Sequence, residues 1–276
     1  MDIQRISAFT NNNTGGNPAG VCLVDHMLGA AQMREIAAQV GYSETAFCAP
    51  QDGLGNSWRV RYFAPDAEVP FCGHATIALG AALGAAHGPG IYALVLNDAN
   101  ITLDTSQTNG VWRTTLQSPK THSEPLPDDW LVHLCHHFGL QSQDLHPEIP
   151  PALIFGGARH VLIPLKSRLR LSQLGYNFTA MRDFQTRNSI VTLDFVMPET
   201  PTIFHARNMF AFGGVYEDPA TGAAAAAFCG YLRDIAWPHG GAITLYQGED
   251  MGRPSKIMAQ FAQTGPIAIT GETVWL

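Results

Sequence analysis

Twice in this chain a strand-like run carrying a phenylalanine–alanine pair gives way to a helix of small residues. Phe63-Ala64 leads to Gly73-His74-Ala75-Thr76, and Phe210-Ala211 leads to Asp218-Pro219-Ala220-Thr221. A chain that turns strand into helix in the same way in both halves is expected to form two related lobes. The first turn of a helix carries main-chain N–H groups with no intrahelical acceptor. Gly, Ala and Thr leave those groups open, so such ends hold anions. Two of them facing each other across a cleft would grip a small carboxylate.

The 276 residues suit one large domain or two of ordinary size. With 46% hydrophobic and 14% charged residues, the chain has material for real cores and does not read as disordered. The formal net charge is −7, and the 16 basic residues are spread thinly, which argues against nucleic acid as a partner. An acidic chain that binds an anion must do so with local dipoles and a few placed donors. No membrane partner is expected either, because the most apolar stretches, such as 75–86, are short and rich in Ala and Gly. The start runs from Met1 into an alternating pattern without the apolar core of a secretory leader. Cys22, Cys48, Cys72, Cys135 and Cys229 are odd in number and set in apolar context, as reduced core residues of a cytoplasmic protein would be.

Alternating or apolar runs at 3–9, 21–25, 45–49, 58–64, 91–96, 101–103 and 111–116 predict strands in the first half. Residues 11–20, rich in Asn and Gly, predict a tight loop. Met33, Ile36, Ala37 and Val40 have helical spacing, and residues 73–86 form the central helix of this half. Residues 118–129, polar and carrying Pro125 and Pro127, read as the crossing between lobes. Asp129 is placed to cap a helix reaching Phe138. Strands follow at 152–155, 160–165, 190–196 and 202–206, then a second central helix at 222–235. Strands at 242–246, 257–261 and 267–276 complete the chain.

Glu44 is a lone acid entering the apolar run Ala46-Phe47-Cys48. Partial desolvation there disfavours its charge and makes it a competent proton carrier near neutral pH; the alternative is an exposed turn glutamate. His74 opens a helix, where the terminal dipole disfavours the imidazolium, so a neutral ring can donate or accept; it also reads as a capping or core histidine. Asp218 before Pro219 reads as an N-cap, a role compatible with catalysis. Cys72 invites a thiol mechanism, but the second half offers Asp218 where a partner thiol would be needed, so it reads as core. His133, Cys135, His136 and His137 are the richest metal-type cluster, with only Asp144 and His146 as weak partners, and a solvated polar face is the alternative. No metal and no cofactor is expected: neither Gly-x-Gly-x-x-Gly after a strand nor a Gly-Lys-Ser/Thr loop is present. Asn17, in Gly16-Asn17-Pro18-Ala19-Gly20, can hydrogen-bond a substrate from a tight loop, or simply make a turn.

Five segments, in order and across nearly the whole chain, resemble the phenazine-biosynthesis PhzF-like family. They are Gly16-Asn17-Pro18-Ala19-Gly20, Gly41-Tyr42-Ser43-Glu44-Thr45-Ala46-Phe47, Val69-Pro70-Phe71-Cys72-Gly73-His74-Ala75-Thr76, Glu217-Asp218-Pro219-Ala220-Thr221-Gly222, and the run from Gln247 to Ser255. The resemblance implies the diaminopimelate epimerase-like fold, an α/β (α+β) architecture of two pseudo-symmetric lobes. Each lobe is a mostly antiparallel sheet wrapped around a central helix. Residues 1–120 with 266–276 would form the N-terminal lobe and 126–265 the C-terminal lobe, with the active-site cleft between them. It further implies a cofactor-free isomerase that moves a proton within a small unsaturated carboxylic acid, with a homodimer as the assembly. Glu44 would be the proton shuttle, with His74 and Asp218 lining the site and Asn17, Ser43, Gly73 and Gly222 holding the substrate. Ala223 stands where the family commonly has serine, leaving backbone N–H groups to bind the carboxylate and allowing a substrate other than the phenazine precursor.

Two rivals remain open on sequence. One is an amino-acid racemase or epimerase that uses Cys72 with another base. The other is a non-catalytic protein that binds a small carboxylate.

Overall fold

The computed structural model describes residues 2–51 and 56–276, so Met1 lies outside it. Two compact units emerge, Met1–Gln117 with Thr270–Leu276, and Ser118–Ile269.

In the first unit the elements run β1 (Gln4–Ala8), β2 (Asn17–Leu23), α1 (Ala30–Val40), β3 (Thr45–Pro50), β4 (Ser57–Phe63), β5 (Glu68–Val69), α2 (Gly73–His87), β6 (Gly90–Val95), β7 (Asn100–Thr108) and β8 (Val111–Gln117). The C-terminal strand, Ala268–Trp275, closes this sheet by pairing with both β1 and β8. The ring runs β1-β2-β3-β4-β6-β7-β8 and back through that strand, with β2–β3 and β4–β6 parallel. Residues 17–20 belong to β2, so the loop expected over 11–20 ends earlier. The extended backbone from Asn17 pairs with Ala8 and satisfies its N–H groups in the ladder.

Helix α2 runs inside the ring. Its residues from His74 to Gly84 are all buried, which fits a sequence apolar on every side and without an amphipathic stripe. Gly80 and Gly84 let β8 approach: a Cβ on Gly84 would sit 2.4 Å from the Trp112 ring, and one on Gly80 2.3 Å from Thr114. Gly84→Ala is therefore expected to destabilise by about 1–3 kcal/mol, despite alanine's better helix propensity. A urea midpoint equal to or above wild type would contradict this packing. Helix α1 is amphipathic and lays Met33, Ile36, Ala37 and Val40 against Cys22, Phe47 and Phe63.

The second unit continues with β9 (His122–Pro125), α3 (Asp128–Phe138), β10 (Ala152–Phe155), β11 (Arg159–Pro164), α4 (Arg168–Ser172), α5 (Phe178–Asn188), β12 (Thr192–Thr200), β13 (Ile203–Met209), β14 (Glu217–Asp218), α6 (Gly222–Asp234), β15 (Ala242–Gln247) and β16 (Ser255–Gln260). The strands pair in the order β9-β10-β11-β12-β13-β15-β16, and β14 lies on the far end of β13. The pairing grammar from β10 to β16 repeats that from β1 to β7. Parallel β11–β12 matches β2–β3, parallel β13–β15 spans α6 as β4–β6 spans α2, and the two-residue β14 matches β5.

Three expectations need correction. β9 lies inside the passage read as an irregular crossing, since its pairing with β10 accommodates Pro125 at its end. Helix α3 is entered at Pro127, with Asp128 and Asp129 both inside the first turn, so Asp129 is not the cap. Helix α6 begins at Gly222 behind Thr221, so neither does Asp218 cap it nor is Pro219 its first residue. The structural repeat aligns Gly73 with Gly222, each the first residue of its central helix.

One face of the second sheet carries Leu193 and Phe195 into the apolar cluster with α3, α4 and α5. The other face holds a row of buried polar groups, His160, Thr192, Asp194 and Asn208, which are register partners across β11, β12 and β13. Asn208 Nδ2 donates to Asp194 Oδ1 at 3.0 Å. Asp194 Oδ2 and Asn208 Oδ1 find no hydrogen-bond partner among the described residues. A protonated Asp194 buries no net charge and adds an O–H donor to a row that has an unmatched acceptor, Asn208 Oδ1. Consistently, burial pushes the Asp194 carboxyl up to about 7. Its folded value lies above its unfolded one, so the folded chain holds a proton that the unfolded chain releases. This contribution to stability is lost as pH rises through the range from about 4 to about 7. Asp194→Asn removes the titration. It is expected to be more stable than wild type at pH 8 by up to roughly 4 kcal/mol, a gain that vanishes near pH 4. A stability difference that stays constant across that range in thermal melts would refute a neutral Asp194.

Candidate active site

The chain leaves α1 through Gly41, whose φ of 75° reverses the helix, and enters β3 at Thr45. Glu44 sits at this handover, and its carbonyl accepts from Gly20 N at 3.2 Å, tying it to β2. The start of α2 faces it. Thr76 Oγ1 donates to the Cys72 carbonyl at 2.6 Å and meets Tyr62 Oη at 2.6 Å, which fixes the first turn against β4.

Four side chains named from the sequence come together here. Glu44 Oε2 lies 3.4 Å from His74 Nε2, with the two side chains 16% and 8% exposed. Ser43 Oγ lies 3.3 Å from the same nitrogen. Cys72 is buried, as expected of a core residue, yet its Sγ lies 3.4 Å from His74 Nδ1 and 3.8 Å from Nε2. The imidazole thus has a carboxylate and a hydroxyl at Nε2, while the thiol, nearly equidistant from both ring nitrogens, packs against the ring. A neutral ring that donates from Nε2 can hold the Glu44 carboxylate. A Cβ at Gly73 would meet nothing within 4 Å, so the backbone at the helix start is sterically open. Asn17 is buried at the first position of β2.

In the second unit, Asp218 ends β14 and Gly222 and Ala223 open α6. Thr221 Oγ1 donates to Asp218 Oδ2 at 2.6 Å. Gln247 was not singled out as a site residue, although it heads the fifth family-like segment. Its Nε2 donates to the Asp218 carbonyl at 2.7 Å and to Thr221 Oγ1 at 3.0 Å, while its Oε1 accepts from Thr221 N at 3.2 Å. Gly248 next to it has φ 76°, and a Cβ there would lie 2.8 Å from the Pro219 carbonyl. That segment therefore holds the Asp218–Thr221 turn.

The histidine cluster on α3 does not converge on a metal-type site. The His133 and His137 rings lie 4.4 Å apart, His133 stacks on Phe184, and burial lowers its basicity. It is not simply a solvated face either. Among the described residues, the group of three metal-type donors that converges is Glu44, Cys72 and His74. No helix among the described residues is long and apolar enough to cross a membrane.

A closed sheet wound on a buried central helix, with its polar groups at the helix start, defines a diaminopimelate epimerase-like fold. A family model described as phenazine biosynthesis-like protein (PhzC-PhzF) matches residues 6–276, and the chain belongs to that family. A protein of Deinococcus radiodurans called an uncharacterized isomerase is 31% identical over 271 residues, covering 94% of this chain and 86% of that protein. The crystal structure of the Bacillus anthracis phenazine biosynthesis protein of the PhzF family superposes with a TM-score of 0.86 at 20% identity, covering 99% and 96% of the two chains. A hydroxyproline epimerase from Agrobacterium vitis shares the fold at TM-score 0.64 and 12% identity, covering 100% and 91%. The protein is an isomerase.

Proposed function

We propose that this isomerase works without a cofactor and moves a proton within a small unsaturated carboxylic acid by general acid/base catalysis. The observation that carries this reading is a shielded carboxylate, Glu44, 3.4 Å from the imidazole of His74 at the open start of α2. Glu44 takes a proton from an activated carbon and returns it to another carbon of the same conjugated system. The charge that develops in between is stabilised by the first-turn amides of α2, which are preorganised and cost no reorientation. His74 orients the carboxyl, and Ser43 shares its Nε2. Asn17, Asp218, Gly222 and Ala223 enter as substrate-binding or site-lining groups through the family resemblance. Gly73 contributes its backbone.

The test is a screen of small cyclic and amino carboxylic acids for exchange of C–H protons with deuterated water. A substrate that is isomerised and takes up solvent deuterium supports the reading. Isomerisation that requires an added cofactor would overturn it.

A second reading has one observation of its own. Cys72 Sγ, 3.4 Å from His74 Nδ1, could serve as a second acid/base group for epimerisation at an α-carbon. Loss of activity in both Cys72→Ser and Cys72→Ala would favour it, and full activity in both would exclude it.

A further inference from the structure

Asp218 ends a polar row that starts deep in the second sheet. Side chains alternate across a strand, so residues directly opposite each other share a face. Register pairs Asp194 of β12 with Asn208 of β13, and Asn208 with Asp218 of β14. The opposite face supports this placement: Arg207 and Glu217, the chain neighbours of Asn208 and Asp218, form their ion pair there. Asp194 and Asn208 are buried, at 2% and 0% exposure. Asn208 commits Nδ2 to Asp194 Oδ1 at 3.0 Å, and its Oδ1 is an acceptor that no described residue matches. At the other end, Gln247 Nε2 donates to Thr221 Oγ1, which donates in turn to Asp218 Oδ2.

We propose that Asn208, oriented by Asp194, is a positioning residue that presents its amide oxygen to the Asp218 carboxyl. A hydrogen bond to the neutral form of an acid favours that form, and an O–H on Asp218 is a donor of the kind Asn208 Oδ1 lacks. The amide oxygen has two lone pairs, so it can accept from Asp194 and Asp218 together, which couples the two carboxyls. His160, diagonal to Asp194 on β11, is kept neutral by burial, with Nδ1 2.6 Å from Thr192 Oγ1. The buried part of α6 adds Cys229 and Tyr231 and no charged side chain. The consequence for catalysis rests on the isomerase reading, in which Gly222 and Ala223 hold the substrate carboxylate at the start of α6. An ionised Asp218 would repel that carboxylate, whereas a proton-bearing one can donate to it.

The full-length chain labelled with ¹³C-carboxyl aspartate is titrated by NMR from about pH 4 to about pH 9. The Asp218 resonance is identified as the one missing from Asp218→Asn. Its expected curve has two steps, its own and a smaller one near pH 7 that follows Asp194. In Asp194→Asn, whose amide oxygen still accepts from Asn208 Nδ2, the smaller step should vanish. Asn208→Leu, and Asn208→Ala as the smaller replacement, should lower the main Asp218 midpoint by at least about half a pH unit, because the acceptor for its proton is gone. A single-step Asp218 curve in wild type, or a smaller step that survives Asp194→Asn, overturns the coupling. A main midpoint unmoved in a folded Asn208 variant overturns the positioning role. A single step together with exchange lost in Glu44→Gln would strike the row and leave the isomerase reading intact. Two steps with exchange unimpaired in Glu44→Gln would do the reverse.

Discussion

Glu44→Gln is expected to lower the rate of substrate proton exchange by about 10²- to 10⁴-fold, the usual worth of a placed acid/base group. The amide keeps the volume and one acceptor oxygen, and it can still face His74 Nε2 from the turn anchored by Gly20 N on its carbonyl. Binding of the carboxylate should change little, because the N-terminus of α2 is untouched. The loss therefore falls on kcat more than on KM. Deuterium uptake at wild-type rate in this variant would remove Glu44 from the reaction.

Arg207→Ala is expected to cost about 3–5 kcal/mol of stability, because it strands a buried partner. Arg207 and Glu217 have side chains only 8% and 4% exposed. Nε donates to Glu217 Oε1 at 3.1 Å and Nη2 to Oε2 at 2.6 Å. Nη1 donates to the carbonyls of Leu171, Ser172 and Leu174, at 3.2, 3.2 and 2.9 Å. Truncation leaves a carboxylate and three carbonyls without these donors, in a place where water replaces them poorly. Arg207→Lys should recover little, since a single ammonium cannot reproduce the fork. Replacing both partners by leucine is expected to cost less than Arg207→Ala alone. Glu217 adjoins Asp218, so the same pair holds β14 and the turn into α6. A urea midpoint for Arg207→Ala within the error of wild type would show that the pair carries no such weight.

The central helix of the first unit was legible from composition: residues 73–86 are apolar all round, and such a helix is buried on every side. Short β-branched and aromatic runs marked most strands to within a few residues. Helix α5 escaped because it is largely polar and buries only Met181, Phe184 and Gln185, too few to make a clear stripe. The short passage from Asp218 to Thr221 misled for a local reason. Asp-Pro favours a cap, but Gln247 and Gly248, far along the chain, hold it as a turn before the helix starts.

At the site, the sequence by itself named Ser43 and Glu44 at a helix-to-strand turn, Gly73 and His74 at a helix start, and the family to which they point, while it read Cys72 as core. That much follows from local chemistry, since turns, helix ends and lone acids are written in neighbouring residues. Only the tertiary structure decided that thiol, imidazole and carboxylate meet. Their approach depends on β3 pairing beside β2 and on α2 running inside the ring, and contacts between distant segments leave no periodic trace in the chain.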